Sequence, residues 1–347
     1  MNNSLTLKDI AKALNLSIST ISKSLNDSHE ISVETKKKVL EYAQKEHYSP
    51  NRLAKGLKEG KSRSIGVVVC SLDNNVIAQM LDGIDMISTD KSYQIIIMQS
   101  KESPSQEIAC IELLYAGGVD GIMISPACET TDFSYLLTLQ ESGLPIVLFD
   151  RLTDQINTHK VGADNFKGAY DATVHLIKNG YKNIAHLNTN TVLSISTDRL
   201  NGYIQALADN NIPFRPELLR SCDYSDTKKL SKDLEEAILY YMSLDDKPDA
   251  IFTAADQIST KCLVLLRKLG YTIPNDIALI GFTNTDLADA FSPSLSTVHQ
   301  PAFEIGQLAA QKLISLIEKK NHVHDYETIM LKTNIKARSS SESKAVN

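Results

Sequence analysis

A chain of 347 residues, 42% of them hydrophobic, is too long for one ordinary domain and can form two or three cores. Its apolar runs are shorter than the roughly eighteen residues of a membrane span, and its start lacks the apolar region of a secretory signal. The five cysteines never occur in CxxC spacing, which favours buried free thiols in a reducing cytoplasm over disulfides or a zinc site.

The net charge of −6 is distributed unevenly along the chain. Residues 1–61 contain 11 Lys and Arg against 7 Asp and Glu, a net charge of +4, which leaves 25 against 35, or −10, for the remainder. A small basic segment on an acidic body indicates that only the first sixty residues approach phosphate groups.

Three short amphipathic helices are predicted in the basic segment, each preceded by Ser or Thr, which are good capping residues. The helices span 7–14, 18–25 and roughly 33–46, and their caps are Thr6, Ser17 and Ser32. Asp9 lies in the first turn of the first helix, where a carboxylate is favourable. The side chains expected to be buried are Ile10, Ala13, Leu14, Ile21, Leu25, Val39, Leu40 and Ala43.

Two short helices joined by a tight turn and closed by a third are typical of a helix-turn-helix unit. The second helix then presents Ile18, Ser19, Ser22 and Lys23 outward, where polar side chains can bond base edges or phosphates. Spacing alone leaves open a second interpretation, a small three-helix bundle without a role in DNA binding.

From Ser64 onward, short apolar β runs alternate with helical patterns. Strands are predicted in two series, at 65–69, 94–98, 121–124 and 145–149, and then at 184–187, 250–253 and 277–282. Helices are predicted near 77–90, 105–117, 133–142, 166–179, 198–210, 228–244, 257–269 and 303–319. Such alternation predicts an α/β fold with doubly wound parallel sheets, and two series indicate two lobes with a ligand cleft at the strand carboxyl ends.

The body contains no motif that supports catalysis. The sequences GxGxxG and GxxxxGK[ST] do not follow its strands, GxSxG and HExxH are missing, and its histidines are dispersed. We therefore expect a protein that is not an enzyme, with no catalytic residues, no metal ligands and no cofactor.

Longer motifs follow one another along the chain. The first segment reads TLKDIAKALNLSISTISKSLNDSHEISVETKKKVLEYAQKEHYSPNRLAKGL, and the body contains GLPIVLFDR, VGADNFKGAYDATVHLIKNGYKNIAHL, DRLNGYIQAL and SPSLSTVHQPAFEIGQLAAQKL. Together they resemble the lactose/galactose-repressor (LacI/GalR) family. The first segment is similar to that family's DNA-binding headpiece and hinge. The rest is similar to its ligand-binding core, which is related to the periplasmic sugar-binding proteins.

The resemblance implies four regions of the chain. They are a helix-turn-helix headpiece over 1–48, a hinge helix and linker over 49–63, an effector-binding and dimerisation core over 64–340, and a tail over 341–347. The core would have a first lobe of about 64–163 and 296–325 and a second lobe of about 164–293 and 326–340. We expect a cytoplasmic transcriptional repressor that binds a pseudo-palindromic operator as a homodimer and responds to a small-molecule effector, with a sugar or sugar derivative as the first expectation.

The resemblance assigns the DNA-contacting positions. Base reading falls on Ile18, Ser19 and Lys23, and phosphate contacts fall on Thr20 and Ser22. The full set that it implies is Thr6, Ser17, Ile18, Ser19, Thr20, Ser22, Lys23, Asn26, Asn51, Arg52, Ala54 and Leu57.

The hinge and the recognition helix each depart from the family pattern. Leu57 would enter the minor groove as an apolar wedge, but Gly56 beside it costs a helix about 1 kcal/mol relative to alanine. Lys23 stands where arginine is frequent, and a lysine lacks the two-pronged contact that arginine makes with guanine. The operator is therefore expected to differ from the family's commonest motif.

The effector-binding residues that the resemblance implies are Asn75, Asp150, Arg151, Phe166, Arg199, Tyr224, Asp256 and Thr283. Arg199 would bind a diol or a carboxylate, the two aspartates would accept hydrogen bonds from hydroxyls, and Tyr224 would stack on a ring. Asp256 could equally be an ordinary helix cap.

Two departures alter the predicted pocket. Thr283 replaces a family carboxylate, and Asn75 lies where many relatives place an aromatic side chain. With Arg151 next to Asp150, these changes would also suit an acidic sugar or a sugar phosphate, which is a second hypothesis for the effector.

A helix after the first core strand, with Met80, Leu81 and Ile84, is a candidate dimer surface, although these residues could instead pack against their own sheet. Two other functions remain as alternatives to a regulator. They are a sugar-binding solute receptor with the same two lobes and an enzyme on a doubly wound fold without a role at DNA.

Overall fold

The computed structural model describes residues 5–25, 27–46, 48, 61–189, 194–223, 227–319 and 325–343. The chain divides into two compact units, residues 1–62 and 63–347. The predicted hinge positions Asn51, Arg52, Ala54 and Leu57 lie outside the described residues, as does Asn26.

The N-terminal unit contains three helices, and their predicted bounds are confirmed to within one residue. They are α1 (Leu7–Leu14), α2 (Ile18–Leu25) and α3 (Val33–Lys45). Each begins where a hydroxyl accepts a backbone N–H. Thr6 accepts from Asp9 (3.3 Å), Ser17 from Thr20 (3.0 Å) and Ser32 from Thr35 (3.2 Å). These bonds satisfy donors that have no partner inside the helix.

The core of this unit is smaller than the sequence pattern predicts. Its buried apolar side chains are Ile10, Ala11, Ile21, Val39 and Ala43, whereas the predicted Leu14 and Leu25 are half-buried. The predictions for Ala13 and Leu40 are wrong, because both are exposed, Leu40 by 51%. Three short helices cover only a narrow stripe of one another, and these two residues lie roughly 80–100° around their helices from it.

The second unit is built from twelve described strands. They are β1 (Ser64–Val69), β2 (Gln94–Gln99), β3 (Gly121–Ile124), β4 (Ile146–Phe149), β5 (His159–Ala163), β6 (Ile184–Thr189), β7 (Leu219–Cys222), β8 (Ala250–Thr253), β9 (Ala278–Phe282), β10 (Ser296–His299), β11 (Thr328–Leu331) and β12 (Asn334–Lys336). All seven predicted strands are present, and β5, β7, β10, β11 and β12 were not predicted.

Eight helices cover the sheets in the described part of this unit, each within four residues of its predicted position. They are α4 (Asn75–Asp90), α5 (Pro104–Ala116), α6 (Ser134–Glu141), α7 (Asn165–Lys178), α8 (Ser194–Asp209), α9 (Thr227–Ser243), α10 (Asp256–Lys268) and α11 (Ala302–Glu318).

The strands form two six-stranded sheets, each the centre of one lobe. The first lobe has the order β11-β5-β4-β3-β1-β2, and all of its strand pairs are parallel. The second has the order β12-β10-β9-β8-β6-β7, in which only β12 is antiparallel to its neighbour. The predicted α/β class with two doubly wound layers is confirmed.

The chain crosses between the lobes at positions that differ from those predicted. We expected the second crossing before 296 and the third before 326. Strand β10 instead pairs with β9 in the second lobe (Val298 with Phe282), and β11 pairs with β5 in the first (Ile329 with Val161). Hydrogen bonding to an existing sheet edge therefore moves both crossings a few residues later along the chain.

Helices α4 and α11 pack closely against each other on the first sheet. A Cβ atom added to Gly306 would lie 2.0 Å from the carbonyl oxygen of Met80, so only glycine allows this approach. The contact buries Met80, Leu81 and Ile84 in the core of their own lobe. Their prediction as a dimer surface is wrong, and the alternative that they pack against their own sheet holds.

All five cysteines are buried and free, as predicted. Within the described ranges, no helix combines the length and the hydrophobicity that crossing a membrane requires.

Candidate functional site

A cavity of about 70 Å³ lies between the two lobes of the second unit. It is lined by Asn74, Val76, Cys128, Asp150, Arg151, Thr189, Ile195, Arg199, Ala255, Asp256 and Gln300. Asp150 follows β4, Thr189 ends β6 and Ala255 lies just after β8, so the cavity lies at the carboxyl ends of the parallel strands. This is where doubly wound sheets bind ligands.

Arg199, on α8, lines the cavity and is only 5% exposed. Its guanidinium donates to Asn165 Oδ1 (2.9 Å) and to Gln300 Oε1 (3.1 Å). It also donates to the carbonyl oxygen of Ala254 and lies 3.7 Å from the ring centroid of Phe282. These contacts hold the guanidinium in one orientation at the cavity wall.

Asp256 is the first residue of α10, but it does not cap that helix. The cap is Ala255, and the Asp256 carboxylate instead accepts hydrogen bonds from the Thr283 hydroxyl and, at 3.4 Å, from Asn75 Nδ2. Burial raises the pKa of Asp256, although these hydrogen bonds act in the opposite direction. Asn75 and Thr283 therefore orient a carboxylate that lines the cavity.

Asp150 is held in a left-handed backbone conformation, with φ of 59°, directly after β4. Its Oδ2 accepts from Ser125 Oγ at 3.2 Å. Burial raises its pKa, and the charges of Arg151 and Arg199 partly oppose that increase. The chain turns sharply at Asp150, directly after the strand, and the Asp150 carboxyl group lines the cavity.

Arg151 also lines the cavity, but its charge is paired with a carboxylate of the first lobe. Its guanidinium forms two parallel hydrogen bonds with the Glu102 carboxylate, at 2.7 and 2.8 Å, and both side chains are at least 87% buried. Burial alone would raise the pKa of Glu102, but the charge and hydrogen bonds of Arg151 hold it below its ordinary value. The positive charge that suggested an acidic effector is thus compensated within the first lobe.

Hydrogen bonds also join the two lobes at the rim of the cleft. On α4, Gln79 Oε1 accepts from Asn284 Nδ2 (2.7 Å), and its Nε2 donates to the Asn284 carbonyl oxygen (3.3 Å). Gln257 Nε2 donates to the carbonyl oxygen of Asp73 (3.1 Å). Together with the Asn75–Asp256 bond, they hold this edge of the cleft closed.

Of the predicted effector residues that the structure describes, Asp150, Arg151, Arg199 and Asp256 line the cavity, whereas Asn75, Phe166 and Thr283 do not. Phe166 is 39% exposed on α7 and stacks on Tyr170, with 6.4 Å between ring centroids. Its neighbour Asn165 is the residue that bonds Arg199. Tyr224 lies outside the described residues.

Sequence reasoning missed three residues that organise the cleft, namely Glu102, Asn165 and Gln300. Asn165 lies in the motif VGADN, two residues after β5, and Gln300 lies in VHQPAFEIG, directly after β10, so position at a strand end was an available signal. Glu102 is 49 residues from Arg151, and no local pattern connects the two.

In the N-terminal unit, the outer face of α2 carries the predicted base-reading residues. Ile18 is 44% exposed, Ser19 is exposed, and the Lys23 side chain is 44% exposed and bonded to Glu30. The Thr20 hydroxyl is 2.8 Å from that of Ser17. Ser22 is half-buried, and Thr6 caps α1. Three adjacent side chains of different chemistry are thus presented on one short helix.

The described residues include no group of three or more His, Cys, Asp or Glu side chains that could hold a metal ion. The carboxylates of the cavity are instead bonded to hydroxyl and amide groups. The arrangement can offer hydrogen-bond acceptors from Asp150 and Asp256 and a positively charged donor from Arg199 to one small molecule.

Two family models match the chain. The model for bacterial regulatory proteins of the lacI family matches residues 6–51, and the model for a periplasmic binding protein-like domain matches residues 173–341.

Curated relatives match almost the whole chain and are named as transcription regulators. The chain is 31% identical to the HTH-type transcriptional regulator RegA of Clostridium saccharobutylicum, over 93% of this chain and 97% of RegA. It is 29% identical to the catabolite control protein A of Priestia megaterium and 28% identical to the transcriptional repressor PurR of Aliivibrio salmonicida, each over 91% of this chain and 93% of the relative.

Solved structures share the fold. The lac repressor dimer bound to operator and the anti-inducer ONPF matches with a TM-score of 0.83 at 21% identity, over 98% of this chain and 100% of that chain. The transcriptional regulator CelR in complex with cellobiose matches with a TM-score of 0.71 at 23% identity, over 97% of this chain and 99% of that chain.

Proposed function

The chain belongs to the lacI family of bacterial regulatory proteins as a DNA-binding transcriptional regulator, and we propose that it represses transcription by binding a two-fold symmetric operator as a homodimer. We further propose that a small neutral polyol in the cleft between its lobes controls that binding. The observation that carries the proposal is the outer face of α2, where Ile18, Ser19 and Lys23 are presented together.

The dimensions and chemistry of α2 support DNA reading. A helix of eight residues fits a major groove, where its first turns meet only a few base pairs. The Ser19 hydroxyl can donate or accept, the Lys23 ammonium can donate to guanine, and Ile18 can contact a thymine methyl group. Because one such helix reads few bases, specificity requires two copies on a palindromic site.

The cleft contacts favour a neutral polyol over an acidic effector. Asp150 and Asp256 line the cavity, and the charge of Arg151 is compensated by Glu102. Arg199 donates to neutral acceptors on Asn165, Ala254 and Gln300. A carboxylate or phosphate ligand would meet two acidic side chains, whereas hydroxyl groups can donate to them and accept from Arg199.

Ligand binding is expected to move the lobes. A cavity of about 70 Å³ has room for roughly five water molecules, and a sugar ring has at least twice as many heavy atoms. We therefore expect the lobes to separate or slide when a ligand enters, with a change in the hydrogen bonds of Gln79 with Asn284. A ligand that prefers one lobe arrangement can in this way shift the equilibrium between DNA-binding states.

An exposed apolar edge of the first lobe supports the homodimer. Strand β2 lies at the end of its sheet, and Ile96 and Ile97 on it are 44% and 39% exposed. The two helices that contact β2 carry further exposed apolar side chains, Met86 on α4 (55% exposed) and Leu113 on α5 (64% exposed). Such an edge invites pairing with a second copy of the same edge. Ile97→Lys is expected to give monomers in sedimentation, whereas Leu239→Lys on the second lobe is not.

The proposal is tested by selecting bound sequences from a random duplex pool with the full-length protein. We expect a two-fold symmetric motif that is lost when residues 1–61 are deleted and when Ile18 and Ser19 are both replaced by alanine. Val33→Ala, which changes an 82% exposed side chain of α3, is the matched control and should keep the motif. An enriched motif without symmetry, or one that survives the α2 substitutions, would contradict the proposal.

The effector is tested with the same protein and the selected operator. Neutral hexoses and disaccharides should change operator affinity and raise the thermal midpoint, and uronic acids should do neither. Recovery of the ligand unchanged after prolonged incubation separates binding from turnover. Tighter binding of the acidic sugars would contradict the assignment of a neutral polyol.

A further inference from the structure

The loop after α2 places a carboxylate against the recognition helix. Glu30 forms an ion pair with the Lys23 ammonium, seven residues earlier in the chain. Both side chains remain accessible, with exposures of 44% for Lys23 and 52% for Glu30. The lysine that would reach a base or a phosphate is therefore already bonded when DNA is absent.

Hydrogen bonds of neighbouring loop residues hold the backbone near Glu30 in place. Asp27 adopts a left-handed conformation (φ 52°), and Lys36 of α3 donates to its carboxylate at 2.7 Å and to its carbonyl oxygen at 3.2 Å. The Ser28 N–H donates to the Lys23 carbonyl oxygen (3.0 Å). These bonds attach the loop to both α2 and α3, so the Glu30 carboxylate stays beside Lys23.

We propose that Glu30 competes with DNA for Lys23 and so limits operator affinity and determines which base Lys23 selects. The inference rests on the proposed function of α2. In a complex, Lys23 must exchange the carboxylate for a base edge or a phosphate, and Glu30 is left without its cation close to the negatively charged duplex. Both changes oppose binding, and both are removed when residue 30 is neutral.

The same geometry separates this role from a structural one. Exposed ion pairs contribute little to folding, so neutralising Glu30 leaves the N-terminal unit folded. A residue that acts through Lys23 must, in contrast, lose its effect on DNA binding when Lys23 is removed. That dependence is a double-mutant cycle between the two positions.

The experiment measures dissociation constants of the full-length parent, Glu30→Gln, Lys23→Gln and the double variant. The probes are the selected operator and a random-sequence duplex, each at 50–200 mM salt, a range over which phosphate contacts change affinity strongly. Removing the competition of one exposed ion pair should raise operator affinity by about two- to fivefold for each headpiece. Because a dimer has two headpieces, Glu30→Gln should tighten operator binding by about four- to 25-fold. Lys23→Gln should weaken operator binding. The double variant should bind with nearly the same affinity as Lys23→Gln alone.

Glu41→Gln is the matched control, because Glu41 is also exposed and lies 4.0 Å from Lys37, on α3. Its effect should stay below twofold. Selection repeated with Glu30→Gln should change the preferred base at one symmetric pair of positions only. Thermal unfolding of all variants should be superimposable.

The possible outcomes distinguish a failure of this inference from a failure of the proposed DNA-reading function of α2. If Lys23→Gln binds the operator as tightly as the parent, the reading role of α2 fails. If Lys23→Gln weakens binding but Glu30→Gln changes nothing, or tightens binding equally with and without Lys23, the competition between Glu30 and DNA is refuted alone.

Discussion

The two candidate sites of this protein are built in opposite ways. The proposed DNA-reading face consists of Ile18, Ser19 and Lys23 on one short helix, α2, and these side chains are accessible to solvent. The cleft is assembled from segments as far apart as Asn74 and Gln300, and its principal groups are buried and bonded to one another. A substitution on this exposed face of α2 should therefore change DNA affinity without changing stability, whereas a substitution in the cleft should change both ligand affinity and stability.

The largest expected effect is a loss of stability when the buried Arg151–Glu102 pair beside the cleft is broken. Glu102→Gln leaves a buried guanidinium without its counter-charge, which should lower the free energy of unfolding by about 3–5 kcal/mol. Urea denaturation at pH 7.5 measures this. Glu236→Gln, in the exposed pair with Lys232, is the control and should have no measurable effect. Equal losses in the two variants would remove the distinction between buried and exposed sites.

Arg199→Ala should be the next most damaging change. It leaves the acceptors on Asn165 and Gln300 without their donor and removes the stacking on Phe282, which should lower the free energy of unfolding by about 2–4 kcal/mol. Neutral sugars that raise the thermal midpoint of the parent should no longer do so. Arg220→Ala, which removes a guanidinium 3.8 Å from the Tyr240 ring outside the cleft, should keep that response.

His186 should make the stability of the second lobe depend on pH. The ring is fully buried between Tyr203 and Phe252, its Nδ1 donates to the Phe252 carbonyl oxygen, and burial lowers its pKa to about 3. Between the unfolded pKa of about 6.5 and that value, only the unfolded chain binds the proton. Stability is therefore lost as the pH falls, by about 2 kcal/mol at pH 5.

Replacing this histidine tests that assignment. His186→Phe keeps the stacking and removes the titration, so the loss of stability between pH 7.5 and pH 5 should shrink, as measured by urea denaturation at both values. His29→Gln, at an exposed position of the N-terminal unit, should leave the loss unchanged. An unaltered pH dependence in His186→Phe would assign the effect to other groups.

The smallest expected effects lie in the N-terminal unit. Ser32→Ala removes the cap of α3 and should destabilise that helix by about 1 kcal/mol, seen as faster hydrogen exchange of its amides in the full-length protein. Ser19→Ala should not alter exchange at all but should weaken operator binding. If Ser19→Ala also accelerates exchange, then its side chain supports the fold and α2 is not a pure recognition surface.

Local chemistry explains why most elements could be predicted. The caps Thr6, Ser17 and Ser32 mark helix starts within one residue, and fully apolar runs such as β3 and β4 mark central strands. Strands β5 and β7 were not predicted because they contain the polar residues His159, Lys160 and Arg220. Such residues fit a strand here only because neighbouring strands pair with it. Edge and polar strands depend on pairing, which a single sequence window does not contain.

The cleft shows the same limit at the level of single side chains. Family resemblance pointed to Asp150, Arg199 and Asp256, and the structure brings all three to one cavity. It could not reveal that Arg151 is neutralised by Glu102, because that contact joins residues 49 positions apart. Sequence motifs thus identify which residues meet, whereas their partners decide which charge a ligand encounters.

The late strand β11 has a consequence for biosynthesis. The first lobe begins at Ser64, but its sheet gains its last strand only when Thr328–Leu331 has left the ribosome. Pairing between segments so far apart in sequence is slow to form, and an incomplete sheet exposes its edge in the meantime. The nascent chain therefore presents a finished N-terminal unit long before either lobe can respond to a ligand, so premature termination near the C-terminus would release a DNA-binding segment without its control.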